Sequence, residues 1–139
     1  MLFVMVMTIL IADARQQLRL IVGNLAEHVS DVLYADDTLI IDHHGGLAET
    51  YMYCIRDQGL YYGLDFNWDK IMFLSINCNP CIRKLDGQQL KCVNSMVYLG
   101  GLLSDDGHIA SELGRRIGLA HAEFSTLHRL WSHANITVA

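Results

Sequence analysis

The sequence predicts an α+β fold, an antiparallel sheet with helices on one side and a helical appendage at the C-terminal end. Three observations predict it. Apolar residues recur at helical spacing near both ends, over residues 2–22 and 107–133. Between them, short β-type runs alternate with turn signals, above all Asp36-Asp37 and Asp86-Gly87. The composition, 52% hydrophobic and 18% charged, supplies ample apolar side chain for a core and argues against disorder. At 139 residues the chain is one domain or a piece of one.

Each element follows from local pattern. Phe3, Met7, Leu10 and Ala14 recur at three and four, Arg15 to Val22 continues the helix, and Gly23-Asn24 breaks it. From His28 to Asp42, the runs Val29, Val32, Leu33 and Leu39, Ile40, Ile41 flank Asp36 and Asp37, which reads as a hairpin with acids at its tip. His43-His44-Gly45-Gly46 connects to a helix over 47–60, ended by Gly59 and Gly63. Residues 64–67 are extended, and Ile71 to Ile76 reads as a strand. Ile82–Leu85 and Gln89–Val93 flank Asp86-Gly87, a two-residue hairpin signal. Met96 to Leu103 reads as another strand. A stripe of Ile109, Leu113, Ile117, Ala120, Phe124, Leu127 and Trp131 then marks a helix, with Ser104-Asp105-Asp106 as its N-cap. No linker, low-complexity stretch or internal repeat interrupts this order.

Net charge is −5, unevenly placed. Residues 1–70 carry ten acids against four bases, and residues 71–139 five acids against six bases. An acidic chain does not bind nucleic acid by bulk electrostatics, so any such binding needs metal bridging and a few placed cations. Met1 to Ala12 is almost wholly apolar but lacks the basic segment of a signal peptide and the length of a membrane span. A buried helix is the reading favoured. Cys78 and Cys81 have the spacing of half a zinc site, yet Cys54 and Cys92 stand alone. Four free thiols point to a reducing compartment, the cytoplasm or nucleus.

The acidic hairpin is the chemical centre of the sequence. Carboxylates at a hairpin tip offer hard oxygen ligands, and Mg²⁺ or Mn²⁺ takes one or two of these together with substrate phosphates. A surface turn that uses aspartate is the plain structural alternative. Histidines suggest no site, since His121 and His128 lie seven apart with no third ligand in register.

Tyr34-Ala35-Asp36-Asp37, followed by Thr38-Leu39-Ile40-Ile41, resembles the catalytic hairpin of reverse transcriptases in the form typical of non-LTR (LINE-type) retrotransposons. Other boxes resemble the same family in order. Leu2 to Leu10 is similar to the helix after its glutamine–glycine–proline segment. Gly63-Leu64-Asp65-Phe66-Asn67-Trp68-Asp69-Lys70 is similar to its glycine–leucine–x–x–asparagine–x–x–lysine box. Tyr98-Leu99-Gly100 looks like its primer-gripping hairpin, and Asp106 to Trp131 like its thumb helix. The resemblance spans residues 2–131.

This resemblance implies a partial polymerase palm over residues 1–76, a primer-grip-like hairpin region over 77–104 and the start of a thumb helix over 105–139. It implies two-metal nucleotidyl transfer, with Asp36 and Asp37 as metal ligands and Asp36 the more direct. Tyr34 would pack beside the primer end, and Lys70 would face the departing pyrophosphate. Tyr98, Leu99 and Gly100 would seat the primer, and Arg115 and Arg116 would meet the template–primer backbone. Partners would be an RNA template, a DNA primer and deoxynucleoside triphosphates, with no membrane. Ile71 departs from the threonine or serine that usually follows the lysine. The family's upstream aspartate and glutamine–glycine–proline segment have no counterpart in the sequence. The expectation is therefore a fragment inactive alone, with an exposed sheet edge prone to self-association. A non-catalytic module that binds RNA or protein is the alternative. A small secreted protein, with Asn135-Ile136-Thr137 as glycosylation acceptor, ranks last.

Overall fold

A computed structural model describes residues 2–35, 37–78 and 80–133. The fold is mixed α+β, with three α-helices and three two-stranded sheets among the described residues. The chain divides into two compact units: Met1–Phe73 with Cys78–Cys92, and Leu74–Asn77 with Val93–Ala139.

In the first unit, α1 (Leu2–Val22) buries Met7, Leu10, Ile11, Ala14 and Leu18. These fall at helical spacing on one face, which packs against α2 (Gly45–Tyr61). Helix α2 answers with Tyr51, Cys54 and Ile55, one turn of its own stripe. The predicted helix over 2–22 is observed with those bounds. Gly23, at φ +61, takes the left-handed conformation that ends it, and a 3-10 helix (Gly23–His28) follows.

β1 (Ser30–Tyr34) and β2 (Asp37–Ile41) form an antiparallel hairpin. Leu33 and Ile40 pack against the α1–α2 core, and Val29 is buried just before the strand. Val32, Tyr34 and Ile41 stay exposed. Helix α2 ends in a Schellman motif: the Leu64 N–H donates to the Gly59 carbonyl at 2.9 Å and the Gly63 N–H to Leu60 at 3.1 Å. Gly63, at φ +73, is thus the terminator, whereas Gly59 lies inside the helix. A Cβ on Gly59 would stand 3.1 Å from the Leu64 carbonyl oxygen, which is why the chain can fold back there.

A second cluster joins Met52 to Ile82 and Leu90, with Phe66 set edge-on to Trp68 at 5.5 Å. The strand predicted over 71–76 is shorter, β3 (Met72–Leu74), and pairs with β4 (Lys91–Val93). Around Asp86-Gly87 the chain reverses as expected, but among the described residues the arms pair as β-structure at the single Arg83–Gln89 bridge, beside which the Leu90 N–H donates to the Ile82 carbonyl at 2.8 Å. The Lys84 N–H donates to the Gln88 carbonyl at 2.7 Å, so the loop holds three residues, Leu85 to Gly87. Gly87 at φ +82 allows it.

In the second unit, the predicted strand over 96–103 is instead a hairpin, β5 (Ser95–Tyr98) and β6 (Gly101–Ser104). The apolar residues on both sides read as one strand, and the signal that marks the reversal is the Gly100-Gly101 pair, with Gly100 at φ +79. Helix α3 (Ala110–His133) begins later than the sequence pattern suggests. The Asp106 carboxylate accepts from the Ser104 hydroxyl at 2.5 Å and the His108 N–H at 2.9 Å, so it builds the preceding turn and not the helix cap. No described helix is long and apolar enough to cross a membrane.

Candidate metal-binding hairpin

The register of the first hairpin places Tyr34 opposite Asp37, so the strands are joined through a two-residue connection that Ala35 opens. Such two-residue connections require left-handed backbone, because only mirror-image turns match the twist of the strands. Ala35 supplies it at φ +53, although it carries a Cβ. Left-handed backbone costs an L-residue about 1 kcal/mol or somewhat more. Ala35→Gly is therefore expected to stabilise the first unit by roughly 0.5–1 kcal/mol, net of glycine's added chain entropy. Urea unfolding measures this, and a loss of stability would contradict the conformation described.

Pairing across the closing position puts Tyr34 and Asp37 side by side on one face, and both are exposed. Asp36 lies outside the described residues. Lys70 sits in a turn ahead of β3, its N–H donating to the Asn67 carbonyl at 3.0 Å, with its side chain exposed. Among the described residues no hydrogen bond or ion pair joins it to Tyr34 or Asp37. A hard carboxylate, exposed at a hairpin mouth, suits a hydrated divalent ion. No group of three His, Cys, Asp or Glu side chains able to hold a metal forms among the described residues.

Behind the hairpin, on its inward side, stands a polar cluster that the motifs do not announce. Asp31 Oδ1 accepts from Arg15 Nε at 2.7 Å and from the Tyr51 hydroxyl at 2.9 Å, and Arg15 Nη2 also contacts it. Tyr51 is 1% exposed, and burial, with the carboxylate beside it, pushes its hydroxyl well above the ordinary tyrosine range. The cluster ties β1 to both helices. A signal for it was present: Asp31 occupies an inward position of an alternating strand, where a lone acid requires a partner.

The other expected site residues belong to the second unit. The register there pairs Tyr98 with Gly101, so Leu99 and Gly100 form the turn, at φ +48 and +79. Arg115 donates from Nε and Nη2 to the Glu112 carboxylate at 2.8 and 3.1 Å, and from Nη2 to the Gly100 carbonyl at 2.5 Å. It clips the turn to α3. Arg116 also meets Glu112 but is 66% exposed. Glu112 accepts the Leu102 N–H at 3.0 Å as well, making it the hub of this unit.

Hydrogen bonds from Arg115 and Arg116, the dominant cause, hold Glu112 down at about 2. A carboxyl depressed in the folded state stabilises above its unfolded value near 4.5, and that contribution disappears as pH falls through 2. Acid unfolding followed by circular dichroism should therefore show part of the α3 signal lost between these values. Glu112→Gln should remove that pH-dependent part.

Three histidines, His28, His43 and His44, line a cavity of about 130 Å³ with Leu25 and Leu47. The cavity is below the size that encloses a nucleotide-sized ligand. Cys54 is buried, and Cys78, Cys81 and Cys92 are exposed. No family model, no curated protein and no solved structure matches the chain.

Proposed function

We propose that the chain is a piece of a non-LTR-type reverse transcriptase, a partial palm followed by the first thumb helix, whose first hairpin holds Mg²⁺ or Mn²⁺. One observation supports this above the rest. The two most specific boxes, Tyr34-Ala35-Asp36-Asp37 and Tyr98-Leu99-Gly100, each fall on the two-residue turn of a hairpin. Both turns open with a non-glycine residue at positive φ. Backbone of this kind costs energy and concentrates where geometry serves a site.

In this reading Asp36 and Asp37 are the oxygen ligands, and Tyr34, opposite Asp37, offers a ring to the primer terminus. A bound divalent ion supplies charge stabilisation to the attacking and leaving oxygens of nucleotidyl transfer. Lys70 brings a positive charge for pyrophosphate, and the exposed Arg116 one for a backbone phosphate. Arg115 acts indirectly, by fixing the Leu99–Gly100 turn.

Two adjacent carboxylates cannot clamp two ions. The isolated chain is expected to bind Mn²⁺ with a dissociation constant on the order of 1 mM, the weak end of carboxylate sites. It is not expected to extend a primer. Titration of Mn²⁺ by electron paramagnetic resonance tests this, with Asp36→Ala weakening binding at least about tenfold. Binding unchanged by substitution of both Asp36 and Asp37 would remove the assignment. Primer extension by the isolated chain would overturn the inactivity.

A further inference from the structure

Helix α3 carries an apolar seam with a period of its own. Ala110, Leu113, Ile117, Ala120, Phe124 and Leu127 follow one another at alternating intervals of three and four. That is a repeat of 3.5, the period of helices that wind around a partner helix. The seam is exposed: Leu113 is 57%, Ile117 61% and Phe124 54% accessible. The helix also needs support. Gly114 and Gly118 lie in its interior, both poorer helix formers than alanine. Helices so composed draw their stability from packing an apolar face.

Charge beside the seam selects the occupant. Arg116 and Glu123 flank it on the same side, one heptad apart, and both are exposed. In an antiparallel pair of α3 helices that layers Ile117 on Ala120 of the second copy, Arg116 meets Glu123 of the second copy. Two-fold symmetry makes that contact twice. The same register sets Ala110 against Leu127, as it sets Ala120 against Ile117, so these layers match small to large, and it places Leu113 against Phe124 between them. Sliding by one heptad in either direction brings Arg116 to Arg116 or Glu123 to Glu123, which like-charge repulsion opposes. A parallel pair stacks Ala120 on Ala120 and leaves a void.

We infer that α3 is a self-docking surface, pairing antiparallel with α3 of a second copy in the register fixed by Arg116 and Glu123. This does not rest on the nucleotidyl-transfer reading, since it uses neither hairpin turn nor a metal; Arg116 is shared with that reading and with the Glu112 ion pair, and Glu123 with neither.

Sedimentation velocity of the full chain tests it at about 100 μM, above the micromolar dissociation constants of weak interfaces. The wild type should run at twice the 15.7 kDa chain mass. Arg116→Glu and Glu123→Arg should each weaken the dimer at least tenfold alone, by setting like charges opposite. Glu123→Arg leaves the Glu112 hub intact, and circular dichroism confirms folding of both variants. Mixed in equal amounts, the two should form a heterodimer, because each supplies the charge the other lacks. A monomeric wild type, dimers that survive both substitutions, or variants that fail to pair when mixed would each overturn the assignment.

Discussion

Leu10→Ala is expected to destabilise the first unit by about 3 kcal/mol. Leu10 is 2% exposed and belongs to the cluster where α1 meets α2. Its Cδ1 lies 3.7 Å from where a Cβ on Gly59 would stand, so it also underlies the fold-back after α2. Truncation removes the transfer energy of the lost methyl groups and leaves a cavity. That cavity cannot close easily, because Ala14 and Leu18 on the same face are already fully packed. In a domain of this size each 1 kcal/mol shifts the midpoint by roughly 4–8 °C, so thermal unfolding should fall by more than about 10 °C. Ile9→Ala, one residue away on the exposed face, should change little. Equal effects at the two positions would mean that α1 does not present the face described.

Helical parts of the fold were the most legible because their signal is local and repeated. Met7, Leu10 and Ala14 mark the buried face of α1 in the sequence itself, and packing adds Ile11 and Leu18, whereas Phe3, expected on that face, is exposed. The Gly23 break follows from backbone freedom alone. The first hairpin was legible for a similar reason, with β-branched runs on both sides of an acid pair. Its closing geometry was not: Asp37 pairs with Tyr34 as the first residue of β2, which only the register reveals. The second hairpin was hidden because Leu99 holds positive φ without the residue type that advertises it. Resemblance to a family box suggested the turn where periodicity suggested a continuous strand. The start of α3 was misplaced because Ser104-Asp105-Asp106 satisfies the rules for a helix cap and for a polar turn alike. Hydrogen bonding of Asp106 to His108 decides for the turn.

The same distinction separates the legible part of the candidate site from the rest. Asp36 and Asp37 stand out by adjacency, a one-dimensional property. Arg15, Asp31 and Tyr51 are 16 and 20 residues apart and meet only through packing. Glu112 was visible as part of the thumb-like stretch, but its role as acceptor for Leu102, Arg115 and Arg116 depends on β6 lying beside the first turn of α3.

Asp31→Ala should cost about 2–3 kcal/mol, the second large effect, and it tests whether the acidic hairpin is anchored from behind. The Asp31 side chain is 9% exposed, and its Oδ1 receives both Arg15 and the Tyr51 hydroxyl. Removal leaves a buried hydroxyl without its acceptor and a guanidinium without its counter-charge. Breaking a fully buried pair costs roughly 3–5 kcal/mol, but Arg15 is 42% exposed and regains water, which lowers the figure. Tyr51→Phe, which keeps the ring and deletes the hydroxyl, should cost only about 1 kcal/mol. The two substitutions should be non-additive, because each removes one end of the same bond. Alkaline pH supplies a separate check. Tyr51 is raised in the folded state by its burial first and by Asp31 second. The unfolded chain therefore loses this proton near pH 10 while the folded chain keeps it, so stability is level below pH 10 and falls above it. In Asp31→Ala the fall should persist, driven by burial, but level off at lower pH, so that the total loss is smaller. With β1 no longer tethered to Arg15 and Tyr51, the paired position of Tyr34 and Asp37 loses its support, so Mn²⁺ affinity should weaken in a variant that touches no proposed ligand. Full destabilisation with unchanged Mn²⁺ affinity in the folded fraction would show that the hairpin tip is ordered by its own turn alone.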